Sequence, residues 1–213
     1  MGTCCARSYE KFFGERTARR DARRYRRKGL DDTAQRLVDE VAARGVAGAS
    51  VLEVGGGVGA LELELLQRGV SRATIVELSH GYDEEASILA REAGAEERIE
   101  RRHGDFVEDE AEVDPADIVV MHRVVCCYPD PELLVGAAAR HARRLLALSF
   151  PRDTWWLRLG FGVANVWFRL TGGFEAFVHS PALVVRAVEG SGLTMVLHER
   201  AGRVWRVAVF ERA

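Results

Sequence analysis

The run Val51-Leu52-Glu53-Val54-Gly55-Gly56-Gly57-Val58-Gly59 constrains this chain more than any other feature. It predicts a buried strand that ends in a glycine turn and feeds a helix over Leu61 to Gln67. Such a turn needs residues without a Cβ. They adopt backbone angles closed to other residues and let a ligand approach the main chain. Glu53 sits two positions before the first glycine. A second acid, Glu77, ends the next apolar stretch, Ala73-Thr74-Ile75-Val76-Glu77. There it is placed to accept hydrogen bonds from ribose hydroxyls. The layout implies the nucleoside-binding half of an α/β sheet.

From Ser50 onward strand and helix patterns alternate regularly. Strands are expected at 50–54, 73–77, 98–102, 117–121 and 145–149, and helices at 59–68, 81–93 and 131–143. Repeated strand–helix units imply a parallel sheet with right-handed crossovers. The end of the chain reads as a helix at 181–190 and two strands at 193–199 and 203–211, with Gly202 in the turn. Its 213 residues suffice for one well-packed α/β domain with some length left for additions.

Two cofactor readings fit the glycine turn. Gly55-x-Gly57-x-x-Ala60 satisfies the loose dinucleotide fingerprint with alanine in the last place, which would make the chain an NAD(P)-binding oxidoreductase. Glu53-x-Gly55-x-Gly57-x-Gly59 resembles the class I S-adenosylmethionine (SAM) methyltransferases more closely. Gly104-Asp105-Phe106 after the third strand is similar to that family's adenine-contacting motif. Val124-Val125-x-x-x-Pro129-Asp130-Pro131 after strand four is similar to its "VLxHxPDP" segment. The resemblance covers roughly residues 48 to 150 well and the rest loosely. It implies one Rossmann-like α/β domain over 48–213. The expected sheet is mostly parallel and seven-stranded, with an antiparallel C-terminal strand. Residues 1–47 would form an N-terminal helical cap. The terminal strand pair also disfavours a dehydrogenase, which normally needs a second nucleotide half or a catalytic domain.

The resemblance implies roles residue by residue. Glu53 orients the loop and reaches toward the amino group of SAM. The main chain of Gly55, Gly56, Gly57 and Gly59 packs against the methionine and ribose parts. Glu77 holds the ribose hydroxyls, Asp105 takes the adenine amino group, and Leu78 and Phe106 cover the ring faces. Methyl transfer from a sulfonium is an in-line displacement, so the protein mainly supplies alignment and desolvation. Candidate acceptor-side residues are His122, Cys127 and Tyr128, with Tyr25 and His179 farther away in sequence. Many relatives carry histidine where this chain has Cys127, which weakens any role transferred to that position. A SAM-binding scaffold without turnover is the reading from a different class.

Both flanks are unusual. Residues 7–28 carry ten basic and three acidic residues, and Arg16 to Lys28 reads as a helix with arginines on nearly every face. It is either a solvated helix packed by Phe12, Phe13 and Tyr25 or a cap that attracts an anionic substrate. A second helix should start at Asp31 or Asp32. In residues 152–178, Trp155, Leu159, Val163, Trp167 and Leu170 recur at helical spacing, widened by Trp156, Phe161 and Phe168. That insert either completes the core or a dimer contact, walls a large apolar substrate, or lies on a membrane surface. Phe13-Gly14-Glu15-Arg16, Tyr128-Pro129 and this insert are loosely similar to magnesium-protoporphyrin O-methyltransferases. That likeness favours O-methylation of a small, amphipathic or aromatic acceptor, with a small phenol, thiol or lipid quinone equally allowed.

A net charge of −2 provides no general field for nucleic acid. No secretory signal opens the chain, and no apolar run approaches the ~20 residues of a membrane span, so a cytoplasmic location is expected. The cysteines form two adjacent pairs, Cys4-Cys5 and Cys126-Cys127. Neither disulfide-framework nor zinc-site spacing is present, so free thiols and no metal site are expected. A further option is that the terminus folds over and offers one pair to the other.

Overall fold

A computed structural model describes residues 9–171 and 173–213. Cys4 and Cys5, and with them the pairing of the terminal thiols, lie outside the described residues. Among the rest, Cys126 and Cys127 are free thiols.

Seven strands form one sheet: β1 (Ser50–Val54), β2 (Arg72–Glu77), β3 (Ile99–His103), β4 (Ala116–His122), β5 (Ala142–Pro151), β6 (Leu193–Ala201) and β7 (Trp205–Arg212). Their order is β3-β2-β1-β4-β5-β7-β6. β1 pairs in parallel with β2 and β4, and β7 runs antiparallel to both β5 and β6. The strand order reverses between β1 and β4. In such a sheet the crevice at the carboxyl ends of these two strands is where a ligand sits.

Side-chain alternation along the strands divides the core between two faces. Val51, Ile118, Val120, Leu145 and Ala147 face one way. They pack with α1 (Glu15–Lys28), α2 (Asp32–Ala43), α3 (Ala60–Gln67) and α4 (Asp83–Glu92). Leu52, Val119, Met121, Leu146 and Leu148 face the other way. They meet α5 (Pro131–His141) and α7 (Pro181–Glu189). β1 is buried along its whole length, as expected for a central parallel strand covered on both faces.

The arginine-rich segment is helical but not merely solvated, because Ala18 and Ala22 are fully buried in the first core. The helix turns a narrow small-residue face inward and leaves its arginines outside. Asp31 caps α2, its carboxylate accepting the N–H groups of Thr33 and Ala34 at 3.0 and 3.1 Å.

Most expected boundaries shift by one or two residues, and the largest shift is at the start of β5. The helix expected at 131–143 ends at His141, and β5 begins at once and runs ten residues to Pro151. No glycine marks the stop. Instead Arg212, from the far end of the chain, donates to the carbonyls of Ala139 and Ala142 and satisfies the helix end.

α6 (Trp155–Thr171) follows β5. Trp155, Leu159, Val163, Val166, Trp167 and Leu170 stand in solvent, with Trp155 at 78% exposure and Leu170 at 80%. The other side of this region meets the N-terminal segment: Phe12 packs on Phe168 and Phe174 at centroid distances of 4.9 and 4.6 Å.

Candidate functional site

The turn after β1 takes the shape its glycines allow. Gly55, Gly57 and Gly59 have φ values of 70°, 56° and 83°, in the left-handed region closed to most side chains. A Cβ on Gly55 would meet Val124 Cγ2 at 2.5 Å, and one on Gly56 would meet Ile75 Cγ2 at 2.8 Å. Gly57 is different. Its Cβ would find only Tyr82, at 3.6 Å or more, so this glycine borders open space.

That space is a cavity of about 530 Å³. Its floor is Glu53, the loop from Gly55 to Val58, and Glu77. Its walls include Tyr82, His122, Arg123, Val124 and Cys127, and its roof carries Phe13, Arg20, Arg24, Tyr25 and Asp31. A second cavity of about 180 Å³ adjoins it and is lined by Glu77, Leu78, Asp105, Phe106, Tyr128 and Leu134. Tyr9, Gly55, Glu77, Val124 and Cys127 border both. The residues expected to contact SAM, Gly59 excepted, therefore line two connected spaces. Gly59 instead caps α3 with its left-handed backbone. Among the described residues, none from α6 lines either cavity, so its tryptophans do not wall these spaces.

Glu77 sits at the junction and is buried. Its carboxylate accepts the N–H of Gly57 at 2.9 Å and of Ser79 at 3.0 Å. Each oxygen is thereby aimed by the main chain and keeps a lone pair for a hydroxyl. Glu53 lies beneath the loop, hydrogen-bonded to the carboxyl of Glu62. Burial pushes Glu53 well above the usual carboxylate range, and the neighbouring Glu62 adds to it; burial raises Glu62 as well. Two buried carboxyls in contact cannot both ionise, so the pair retains a proton. Arg101 braces the loop from below, donating to the Gly57 carbonyl at 2.9 Å.

In the smaller cavity the Asp105 carboxylate accepts the Val107 N–H at 3.0 Å and the Tyr128 hydroxyl at 3.4 Å. Burial, with the Asp105 charge beside it, pushes the Tyr128 hydroxyl up to about 12. Tyr128 is thus a neutral donor on the Asp105 side. Phe106 lines the cavity and its ring meets His141 edge-on at 5.2 Å.

His122 faces the larger cavity from the end of β4. Its Nδ1 lies 2.8 Å from Ser149 Oγ, and its Nε2 lies 3.9 Å from Asp31 Oδ2. Burial, helped by the charge of Arg123, pulls its pKa down to about 4, so the imidazole is neutral near pH 7. Cys127 borders both cavities. A hydrogen bond with Cys126 and burial raise the thiol well above the usual range, which keeps it protonated. His179 is turned elsewhere, toward the Tyr128 carbonyl at 2.9 Å. Tyr25 lines the larger cavity and donates to Glu64 at 3.0 Å.

Several lining residues lie outside the sequence motifs. Arg123 has φ 61°, rare for a side chain of its size. It pairs with Asp31 at 2.9 Å and stacks on Trp205 at 4.6 Å. Tyr9 is partly buried and hydrogen-bonded to Cys127. Asp31 was legible only as a helix cap. Tyr9 and Arg123 had no signal at all, since their positions depend on contacts between distant segments.

These residues combine a glycine-lined floor, a buried carboxylate at the junction of the two cavities, and an apolar slot bordered by an acid. A family profile for a methyltransferase domain matches residues 22–197, most of the chain. The chain belongs to the class I SAM-dependent methyltransferases. No curated protein matches the methyltransferase significantly by sequence. Among solved structures it is similar to magnesium-protoporphyrin IX methyltransferase from Synechocystis PCC 6803. With S-adenosylhomocysteine (SAH) bound, that protein gives 21% identity, 96% coverage of this chain, 98% of the other and a TM-score of 0.74. With SAM bound the values are 19%, 100%, 99% and 0.75. It is also similar to geranyl diphosphate C-methyltransferase from Streptomyces coelicolor A3(2), at 16% identity, 85% and 77% coverage and a TM-score of 0.67. At these identities the structures share the fold, and the domain match carries the activity. SAM, when bound, supplies a methyl group already activated on sulfur.

Proposed function

We propose that this methyltransferase O-methylates a small, acidic, amphipathic or aromatic acceptor in the cytoplasm. Glu77 would hold the ribose, with Asp105, Leu78 and Phe106 around the adenine. The main chain of Gly55 to Gly57 would face the methionine part. The carrying observation is the composition of the larger cavity. It extends from the glycine loop to a roof bearing Arg20 and Arg24, with Arg123 in the wall. Asp21 and Asp31 line the same space and pair with these three arginines, so an anionic acceptor would replace these carboxylates as the arginines' partner.

The chain's own residues act by placement and exclusion of water. His122 is neutral, with Nδ1 taken by Ser149, so it orients more readily than it abstracts a proton. Cys127 and Tyr128 stay protonated. A carboxylate acceptor needs no strong base, and this cavity offers none. A phenol would need one, which makes the carboxylate the favoured acceptor class. Residues up to 47 would act as the cap and 48–213 as the SAM-binding domain. The relatives named above act on a porphyrin and on geranyl diphosphate, and both acceptors pair an apolar body with acidic groups.

The test is transfer of labelled methyl from SAM to a panel of amphipathic carboxylates, phenols and thiols, with base-labile label marking an ester. Label found only on sulfur or carbon would overturn the O-methylation reading. SAM binding without transfer to any acceptor in a whole-cell extract would favour the scaffold alternative. Binding of NAD(P) but not SAM would favour the oxidoreductase.

The exposed side of α6 supports peripheral contact with a membrane, from which an amphipathic acceptor could be drawn. No described helix is long and apolar enough to cross one. Sedimentation with anionic vesicles, lost in a Trp155→Ala/Trp167→Ala variant, is the expected outcome. Binding unchanged in that variant would remove α6 from the contact.

A further inference from the structure

Outside both cavities, the ends of β2 and β3 carry three side chains that the cofactor site does not use. β2 ends at Glu77, and a single helical turn, His80–Tyr82, leads to Asp83 at the start of α4. His103 ends β3 and lies in register beside Glu77. Parallel pairing therefore brings His103 against the turn that follows β2. The His80 and His103 rings stack with centroids 3.9 Å apart. Asp83 Oδ2 is 3.3 Å from His80 Nδ1 and 3.0 Å from His103 Nε2. One ligand atom from each residue falls within 4.8 Å of the other two.

The other carboxylate oxygen is already engaged. Asp83 Oδ1 accepts from Arg101 Nε at 3.0 Å, which fixes the carboxylate with Oδ2 toward both imidazoles. The backbone N–H of His80 donates to Glu10 at 2.8 Å and steadies the turn. Ligands held about 2.1 Å from a tetrahedral ion lie about 3.4 Å apart. The two measured edges are close to that spacing. Two imidazole nitrogens and one carboxylate oxygen are the donor set of borderline divalent ions, with remaining positions left to water. The carboxylate held by a neighbour supplies the outer support such sites need. Partial exposure of all three side chains leaves an entry path.

We propose that His80, Asp83 and His103 bind one divalent transition-metal ion of the zinc, cobalt or nickel type. The ion ties the end of β3 to the turn after Glu77, and through Glu10 to the N-terminal segment. Sequence spacing conceals this site, because 20 residues separate Asp83 from His103 and only strand register joins them.

The test is calorimetric titration of the reduced full-length protein with ZnCl2, in a buffer that does not chelate metal, together with Co2+ absorption spectra. One site is expected, with no heat from MgCl2. His80→Ala and His103→Ala should each weaken Zn2+ binding by more than the ~10–100-fold typical of losing an outer-sphere partner. Zinc should raise the melting temperature of the wild type but not of these variants. Both replaced side chains reach solvent, so the variants should fold, and melting in EDTA verifies that. Zinc affinity unchanged in the His80→Ala/His103→Ala variant overturns the proposal. So does a thiolate-to-cobalt charge-transfer band, which would assign the ion to the cysteines, and so does the lack of any zinc binding by the wild type.

Discussion

The floor and the roof of the larger cavity are built by different means. The floor is main chain: two left-handed glycines, Gly55 and Gly57, two strand ends and a carboxylate aimed by backbone N–H groups. The roof is side chain: arginines, aromatic rings and an ion pair brought from residues 9–31 and from β4. A main-chain floor tolerates few substitutions, because each glycine meets a steric or conformational limit. A side-chain roof can change its chemistry without changing the fold. On the proposed reading, cofactor recognition would belong to the floor and acceptor choice to the roof.

The sharpest break of that contrast is at Gly57. Gly57→Val should abolish SAM binding in a calorimetric titration. The branched side chain is strained at φ 56° and projects into the cavity beside Tyr82. Retained binding would mean that the ligand does not rest on the loop.

His122 lies where floor and roof meet, at the end of β4 and near Asp31 of the cap. Its folded pKa of about 4 lies below the ordinary value of about 6.5. The unfolded chain then takes up a proton more readily than the folded one. Stability should be complete above pH 6.5 and fall as pH drops toward 4, by an amount on the order of 3 kcal/mol. Burial lowers His179 and His198 as well, so the test is a difference. Urea melts of His122→Asn, which can still accept from Ser149, should show a shallower loss between pH 6.5 and 4 than the wild type. Identical slopes would remove His122 as the sensitive group.

Glu77→Ala tests the floor by chemistry rather than shape. Losing a buried charged acceptor costs about 1.5–3 kcal/mol, so SAM affinity should fall at least about tenfold with the circular dichroism spectrum unchanged. An unaltered dissociation constant would displace the ribose from this carboxylate.

The same contrast explains what could be read from the sequence. Gly55, Gly57 and Gly59 are legible because no other residue takes their backbone angles cheaply, and Glu77 because a strand end fixes its place. The sheet followed from strand–helix alternation and from Gly202 in the last turn. The start of β5 was not legible, since the stop signal for α5 is Arg212, about seventy residues away. Tyr9 and Arg123 were hidden for the same reason: long-range packing delivers them. The insert at 152–178 showed its period plainly, yet a period says only which residues share a face. It does not say whether that face meets the core, the cavity or solvent.

Testing the roof requires restraint, because removing residues 1–28 would strip Ala18 and Ala22 from the core and confound function with stability. The sharper variant is Arg20→Ala/Arg24→Ala. The Arg20 and Arg24 side chains are 74% and 55% exposed, and their pairs with Asp21 and Asp31 are surface contacts worth at most about 1 kcal/mol. Folding should hardly change. KM for an acidic acceptor should rise severalfold, with a smaller effect on a neutral one, since the charges attract over the cavity mouth. Salt should imitate the substitution in the wild type, because charges separated by more than ~10 Å are largely screened at 0.1 M. In the double variant that salt dependence should flatten. Equal KM changes for acidic and neutral acceptors would show that the arginines shape the roof without selecting charge. Acceptor choice would then rest with Arg123, whose stacking on Trp205 and pairing with Asp31 hold it at the wall.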